Sequence, residues 1–527
     1  MGKSLGEVWR SFSVHEKRNI AWYIGGIMFY KLGLEFFNGS ITTLATDRFN
    51  AANTFEKLGL AQGLNQAAQC VGSILVAPLI RKFATRTVLS ASIVFFALMT
   101  TILLIVDAAT GGEIKPAGAK KPLYGSFSPD AIFIVWTLAG VAYGCVELIR
   151  RVIPADIVGG NVNKLRRMDA TVHVLYEVAG TSGAFASSAA ISRFGNNYSF
   201  MFSPIFFVIA GCIWTRVSVT KVTHDEADAD EPGLAAVDRG SKWQNNYFFA
   251  VFYGAWLFFK SAGYGAWIVF GHRRFLWLFP GYAIALYLHR FLESSLAPAF
   301  ARRVLGTSGW SQIIVGGSNF GELLGALSVF LLNDYIPTPL PWLRLDALAL
   351  NIVWVLPRFS QILPPQVSSA WIVAATFIPI SYGWAAGDVS LAAYIQSSLN
   401  NSPDIRPKDL SALGATMSFL YSSYIVINAV MSTMMGRIID RVFRRDGNIY
   451  VALQQVGGIQ FSVGCVIILL ASLIPSGAFS LNPKVLNGQP LEGQVGDEDV
   501  MSNDKLDKSG SGSYDEEKDF DQRKIQA

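Results

Sequence analysis

The stretch MFYKLGLEFFNGS, Met28 to Ser40, puts two opposite charges in the middle of a segment otherwise apolar enough to cross a bilayer. Lys31 and Glu35 stand four residues apart, near the centre of the run Asn19–Ala45. On one face of a helix at i,i+4 they can pair with each other. A charge at that depth costs about 2.5–3.5 kcal/mol on insertion scales unless it meets a partner or water. Two readings follow. The pair is either a static packing device, or part of a face that lines an aqueous, substrate-bearing cavity.

Composition sets the surroundings of that segment. The 527 residues are 51% hydrophobic and 15% charged, with a mean hydropathy of +0.36. A soluble protein carries about 25% charged residues. Several apolar runs exceed the length of about 18 residues that marks a transmembrane helix, so the class is a polytopic α-helical membrane protein. The short alternating segments of a β-barrel do not occur. A formal net charge of +5 gives no reason to expect nucleic acid as a partner. Cys70, Cys145, Cys212 and Cys465 all fall inside apolar runs, which indicates neither a disulfide framework nor a zinc site. The polar, basic start (MGKSLGEVWRSFSVHEKR) does not read as a cleavable signal peptide, and the first span is expected to serve as the anchor. Gly6 stands where a myristoylation pattern needs Ser or Thr.

Taken in order, spans are expected at about 19–45, 59–83, 86–108, 129–151, 169–191 and 198–219. Basic clusters follow one side of them: the N-terminal tail, then Arg81, Lys82 and Arg86, then Arg150, Arg151, Lys164, Arg166 and Arg167. The positive-inside rule therefore puts the N-terminus in the cytoplasm. A hydrophilic linker with the acidic run Asp225–Glu231 comes next, then the aromatic stretch Asn246–Phe270 with Lys260 inside it. Six more spans follow at about 276–302, 311–332, 343–356, 369–397, 413–439 and 450–474. The tail after Pro475 is acidic and rich in Gly and Ser, the composition of a disordered segment.

An internal repeat organises these spans. FFNGSITTLATDRF (Phe36–Phe49) lies over FLESSLAPAFARRV (Phe291–Val304) at an offset of 255 residues, which also sets Trp22 on Trp277. ATVHVLY (Ala170–Tyr176) matches ATMSFLY (Ala415–Tyr421), and Tyr143-Gly144 matches Tyr382-Gly383, in the same order in both halves. The expected fold is an all-α membrane protein of twelve transmembrane helices in two parallel six-helix halves. The segments are a cytoplasmic 1–18, a first half 19–219, a linker 220–275, a second half 276–475 and a disordered acidic tail 476–527. Parallel halves favour an interfacial or loop-buried helix over a thirteenth span for the stretch 246–270, and both readings stay open. The cluster Arg437, Arg441, Arg444 and Arg445 objects, because twelve spans place it outside.

This organisation resembles the major facilitator superfamily (MFS). That family's loop between spans two and three, Gly-x-x-x-Asp-Arg-x-Gly-Arg-Lys, is met here by Ala77-Pro-Leu-Ile-Arg81-Lys82-Phe83-Ala84-Thr85-Arg86, with Arg in place of Asp and Ala for both glycines. The second-half counterpart, Asn333-Asp334 before Leu343-Arg344-Leu345-Asp346, is equally altered. Gly180-Thr-Ser-Gly183 only hints at the span-five motif of antiporters. Arg150–Gly180 and Tyr382–Gln396 are similar to a poorly characterised fungal branch. The resemblance implies a binding site near the bilayer midplane on spans one, four, seven and ten and their neighbours.

The polar residues at that depth are the candidates for substrate binding and proton coupling. By the repeat, Glu35 superposes on Arg290 and Asn38 on Glu293, which predicts either an inter-half salt bridge that breaks as the halves rock or a static pair. Span five offers His173 and Glu177 at i,i+4. Span eight offers Asn319 and Glu322, pseudo-equivalent to Asn65, Gln66 and Gln69. Span ten offers Asp388, and His289 precedes Arg290. A carboxyl whose surroundings change during a conformational cycle can load and release a proton, and Glu35, Glu177, Glu322 and Asp388 have that chemistry. Glu147 beside Arg150 reads as a structural clamp. The five histidines show no metal-ligand spacing, and no Gly-x-x-x-x-Gly-Lys-Ser/Thr pattern for nucleotide phosphates occurs.

The leading expectation is a secondary active transporter of a small, polar or charged organic solute, driven by protons and working by alternating access. No cofactor is implied, the partners are the solute, H+ and the bilayer, and the chain is expected to act as a monomer. A passive facilitator or nutrient sensor on the same fold is the alternative, and an integral-membrane enzyme the third. Import against export, and plasma membrane against a vacuolar or ER membrane, stay open.

Overall fold

The computed structural model describes residues 12–116, 119, 122–158, 162–218, 246–332, 335–400, 411–483 and 486. Among them the only extended pairing is one antiparallel bridge, Glu113 to Leu123; the rest of the regular structure is helical. The helices are α1 (Val14–Arg48), α2 (Thr54–Lys82), α3 (Thr85–Ala109), α4 (Ala131–Val158), α5 (Val162–Phe194) and α6 (Ser199–Trp214), then α7 (Tyr247–Gly271). After these come α8 (Arg273–Arg303), α9 (Ser308–Leu332), α10 (Leu340–Ile362), α11 (Val367–Asn400), α12 (Ala412–Asp446) and α13 (Tyr450–Ala471). The acidic run of the linker, Asn333-Asp334 and nearly all of the tail lie outside the described residues.

Nine of these helices, among the described residues, are long and apolar enough to cross a membrane: α2–α4 and α8–α13. The helices α1 and α5 miss that mark because Lys31, Glu35, His173, Glu177 and a series of small polar residues dilute them, and α6 because it is short. With those three the twelve-span, two-half architecture is complete, and α7 stands outside it. The same packing recurs in each half. In the first, α2 meets α4 so closely that a Cβ on Gly144 would stand 2.0 Å from the Gln69 carbonyl oxygen; in the second, α9 meets α11 with Gly321 at 2.3 Å from that of Ile378. Between helices in lipid the apolar surfaces gain little by leaving the solvent, so close backbone approach through small residues carries the association.

The halves touch along two pseudo-equivalent seams, α2 on α12 and α5 on α9, and both are tightest at the end of the bundle remote from the N-terminus, here the far face. There Asp47 pairs with Arg302 at 3.2 Å and accepts a hydrogen bond from Ser308 at 2.8 Å. Asp440 of α12 accepts from the backbone N–H groups of Phe55 and Glu56 at 2.8 and 3.0 Å, capping the start of α2, and Arg437 pairs with Glu56 at 2.7 Å. Arg437 and Arg445, which held part of the awkward positive charge on this face, are thus matched by Glu56 and Asp446. At the opposite, N-terminal face no ion pair joins the halves among the described residues. Glu16, in a capping box with Ser13, ties α1 to Lys164 of its own half.

Helix α7 touches both halves. Tyr247 donates to the Leu75 carbonyl of α2 and Gly254 sits over the adjacent Ile74, so α7 crosses α2 steeply rather than running along it. Its other end packs Gly265 on the Ala415 carbonyl of α12 and Phe270 against Phe279 and Phe419. Phe248, Phe252, Trp256 and Phe259 project from it, exposed.

The close α2–α4 crossing yields a prediction. Gly144→Val should cost about 1–3 kcal/mol, the usual range for overpacking a tight contact, and lower the thermal midpoint of the detergent-purified protein. Gly263→Val, at a position with open space around it, should leave the midpoint unchanged.

Candidate functional site

Two charge clusters face each other across the α5–α9 seam. In the first half, Lys31 Nζ pairs with Glu35 Oε1 at 2.7 Å and lies 4.7 Å from the Tyr176 ring centre. Arg150 sits 4.9 Å from the same ring and pairs with Glu147 at 2.7 Å, which also accepts from the Tyr30 hydroxyl at 2.9 Å. Glycines admit these side chains: a Cβ on Gly180 would lie 2.5 Å from Lys31 Cε, and one on Gly183 2.9 Å from Glu35 Cβ. Gly180 and Gly183 thus let α1 close on α5. Glu177 is buried, and its Oε2 has no hydrogen-bond partner. His173 is half-buried one turn toward the N-terminal face, and Asn38 is exposed beyond Glu35.

In the second half the chemistry sits on α8, where π turns at Phe279–Ile284 and Leu292–Leu296 interrupt the α-helical register on either side of His289 and Arg290. Such turns often mark functional positions. His289 Nε2 meets Glu322 Oε1 of α9 at 2.5 Å and Glu293 Oε1 at 3.6 Å. Arg290 pairs with Glu293 at 2.9 Å, and Ser318 donates to Glu293 at 2.7 Å. The His289 ring stacks on Trp384 at 5.2 Å. His289, Glu293 and Glu322 bring one donor atom each within 4.8 Å of one another, a grouping that the sequence spacing of the histidines gave no sign of. Arg290 keeps 47% of its side-chain exposure although it lies midway along its helix, so it faces open space between the halves.

The two clusters are in register. Along the seam Ile191 lies beside Gly309, Phe185 beside Gly316 and Gly180 beside Asn319. Each step down α5 is matched by a step along α9, so the next turn toward the N-terminal face sets Glu177 opposite Glu322. Glu322 acts electrostatically on Glu177, and Arg290 and Lys31 act on both carboxylates.

Several expectations need correction. No Glu35–Arg290 bridge forms: each of the two is paired within its own helix, Glu35 with Lys31 and Arg290 with Glu293. At this level the halves are joined by neutral hydrogen bonds, such as Gln62 to the Ser294 carbonyl at 2.8 Å, and the ion pairs between them lie at the far face. There the repeat does bring opposite charges together, because Asp47 and Arg302 are superposed by the same 255-residue offset and meet at 3.2 Å. Gln69 is not at the site; it donates to Asn65, which itself donates to the Trp136 carbonyl of α4. Its neighbour Gln66 reaches α12 instead, donating to Tyr424 and accepting from Asn428. Asp346, read from the sequence as part of a loop motif, is buried in α10 against Gly383, with Oδ1 unpartnered. Asp388 is half-buried on α11, beside Gly387, which packs on Asp346. Glu147 and Arg150 form the expected clamp. Trp384, Ser318 and Ser381, whose hydroxyl lies 2.6 Å from that of Ser318, lay outside the sequence reading, since nothing in their spacing sets them apart from ordinary span residues.

The model of the family described as Major Facilitator Superfamily matches residues 23–405. The chain belongs to that superfamily. No curated protein matches it. Among solved structures, the peptide transporter POT in complex with sulfate is similar at a TM-score of 0.59 and 12% identity, over 88% of this chain and 96% of that one. A D-xylose–proton symporter is similar at 0.57 and 11%, over 90% and 99%. The nucleoside transporter NupG follows at 0.56 and 12%, over 88% and 99%. At such identities the likeness shows the fold. The protein is an integral, multi-pass membrane protein of a transporter superfamily, built from two six-helix halves.

The far-face pairing is testable in this superfamily member. With the native cysteines removed and a reporter cysteine at Ser311, which is buried under the seam, Asp47→Arg or Arg302→Asp alone should raise labelling by an impermeant maleimide severalfold. The double swap should bring labelling back toward the starting level. Equal labelling in all three would show that the pair does not hold the face shut.

Proposed function

We propose that the protein is a secondary active transporter that moves a small organic solute by alternating access, coupled to protons. The observation that carries this reading is the pair of buried carboxylates set in register across the seam, Glu177 with an unpartnered oxygen and Glu322 on His289. Carboxylates in a low-dielectric space exchange protons when their surroundings change. Rocking of the halves changes those surroundings here, because the two groups sit on opposite halves while every ion pair around them lies within one half. The similar structures include a protein named as a D-xylose–proton symporter, which supports the same physics on this fold.

The far-face pairs, together with the exposed Arg290, support a conformation closed at the far face and open at the N-terminal one. With the N-terminus in the cytoplasm, that is the inward-facing state. In this reading α7 is an interfacial helix that lies across α2 and α12 and leaves the two halves parallel, and the tail and linker are cytoplasmic. The stretches Arg150–Gly180 and Tyr382–Gln396 support membership of a fungal branch.

Uptake of a metabolite panel into proteoliposomes, with and without an imposed pH gradient, tests the function. Gradient-driven accumulation of at least one solute is expected, and Glu177→Gln or Glu322→Gln should reduce it at least tenfold in protein that still purifies folded. Movement indifferent to the gradient would point to the passive facilitator instead. For α7, spin labels at 247, 259 and 270 should report one common depth; a label at 259 much deeper than the other two would mean that α7 spans.

A further inference from the structure

The cations around the cavity are already matched. Lys31 is held by Glu35, Arg150 by Glu147 and Arg290 by Glu293. Two facing carboxylates remain, one from each half. Glu177 is 4% exposed, and its Oε2 has no hydrogen-bond partner. Glu322 accepts from His289, yet that imidazole brings no full charge to it. His289 Nδ1 is buried without an acceptor, and an imidazolium would bury an unpaired N–H there. An orphaned buried donor is costly, and more so when charged. A neutral ring with its proton on Nε2 fits these contacts and leaves Glu322 as the acceptor. Asp346 and Asp388, behind the second cluster on α10 and α11, have the same sign.

One turn toward the far face, Asn319 Nδ2 is also buried without an acceptor. The seam thus presents two surplus carboxylates and, beside them, a spare donor. We propose that the cavity's ligand is a small organic cation, a protonated amine seated between Glu177 and Glu322 and bearing a neighbouring hydroxyl or carbonyl oxygen that accepts from Asn319. The inference deepens the transporter reading and rests on it for the way in.

A metal dication is the rival occupant, since His289, Glu293 and Glu322 bring their donor atoms together. Glu293, however, already holds the Arg290 guanidinium at 2.9 Å and accepts from Ser318 at 2.7 Å. A dication there would sit against a fixed positive charge. An ammonium at the Glu177–Glu322 level also feels Arg290, which acts on both carboxylates, but it carries half the charge of a dication.

The test uses the full-length protein in lipid nanodiscs and ligand triplets matched in shape. Phenylalaninol, 3-phenyl-1,2-propanediol and phenyllactate form one; ethanolamine, ethylene glycol and glycolate form the other. Manganese chloride is a separate arm. Thermal stabilisation by the amine of a triplet is expected, with the apparent affinity falling at least tenfold in Glu177→Gln and in Glu322→Gln. Glu177→Asp, which keeps the charge, should retain most of the affinity and controls for folding. Stabilisation confined to the acids or diols, by no member, or by manganese alone with loss in Glu293→Gln overturns the proposal. Vesicle transport separates the two claims. Gradient-driven movement of a neutral solute alone sinks the cation and leaves the transporter. Amine binding with no movement of any solute does the reverse.

Discussion

The cost of holding charge inside a membrane governs how this molecule is put together. At bilayer depth an unpaired ion is expensive, and the structure answers by pairing ions within one half: Lys31 with Glu35, Arg150 with Glu147, Arg290 with Glu293. Because those pairs never cross the seam, the halves can separate at mid-depth without stranding a charge. Pairs that do cross, Asp47 with Arg302 and Arg437 with Glu56, lie at the far face, where water can replace a lost partner. Charges buried at mid-depth are neutralised within one half, and the ion pairs between halves lie where water can take a partner's place.

The glycines belong to the same arrangement. Gly180 and Gly183 leave room for Lys31 and Glu35, so α1 and α5 close around the first cluster without expelling it. Gly144 and Gly321 bring the crossing helices of each half to backbone contact. Each cluster is held by helices of its own half, and Glu177 and Glu322 are brought together from the two halves.

Much of the fold was legible from hydropathy and the internal repeat, because span length and approximate sequence symmetry survive in the one-dimensional pattern. Asp47 and Arg302 even stand opposite each other in the aligned stretches, but nothing there told at which depth the halves meet. The repeat therefore pointed equally to Glu35 and Arg290, which the structure keeps apart. Gln69 was misplaced for a related reason: three amides in a row along α2 look alike until the α4 backbone claims one face. Asp346 was hidden by an analogy with a loop motif, although Leu343 and Ala347 around it are buried helix residues. Trp384, stacked on His289, could not be told from the many aromatics that face lipid.

The Asp440 contact has an electrical side. Its carboxylate receives the first N–H groups of α2, the positive end of a 29-residue helix dipole. Parting the halves at the far face would leave that helix end bare, a positive end without its carboxylate. The carboxylate that joins the halves there therefore also neutralises a helix end, so one contact serves both packing and charge balance.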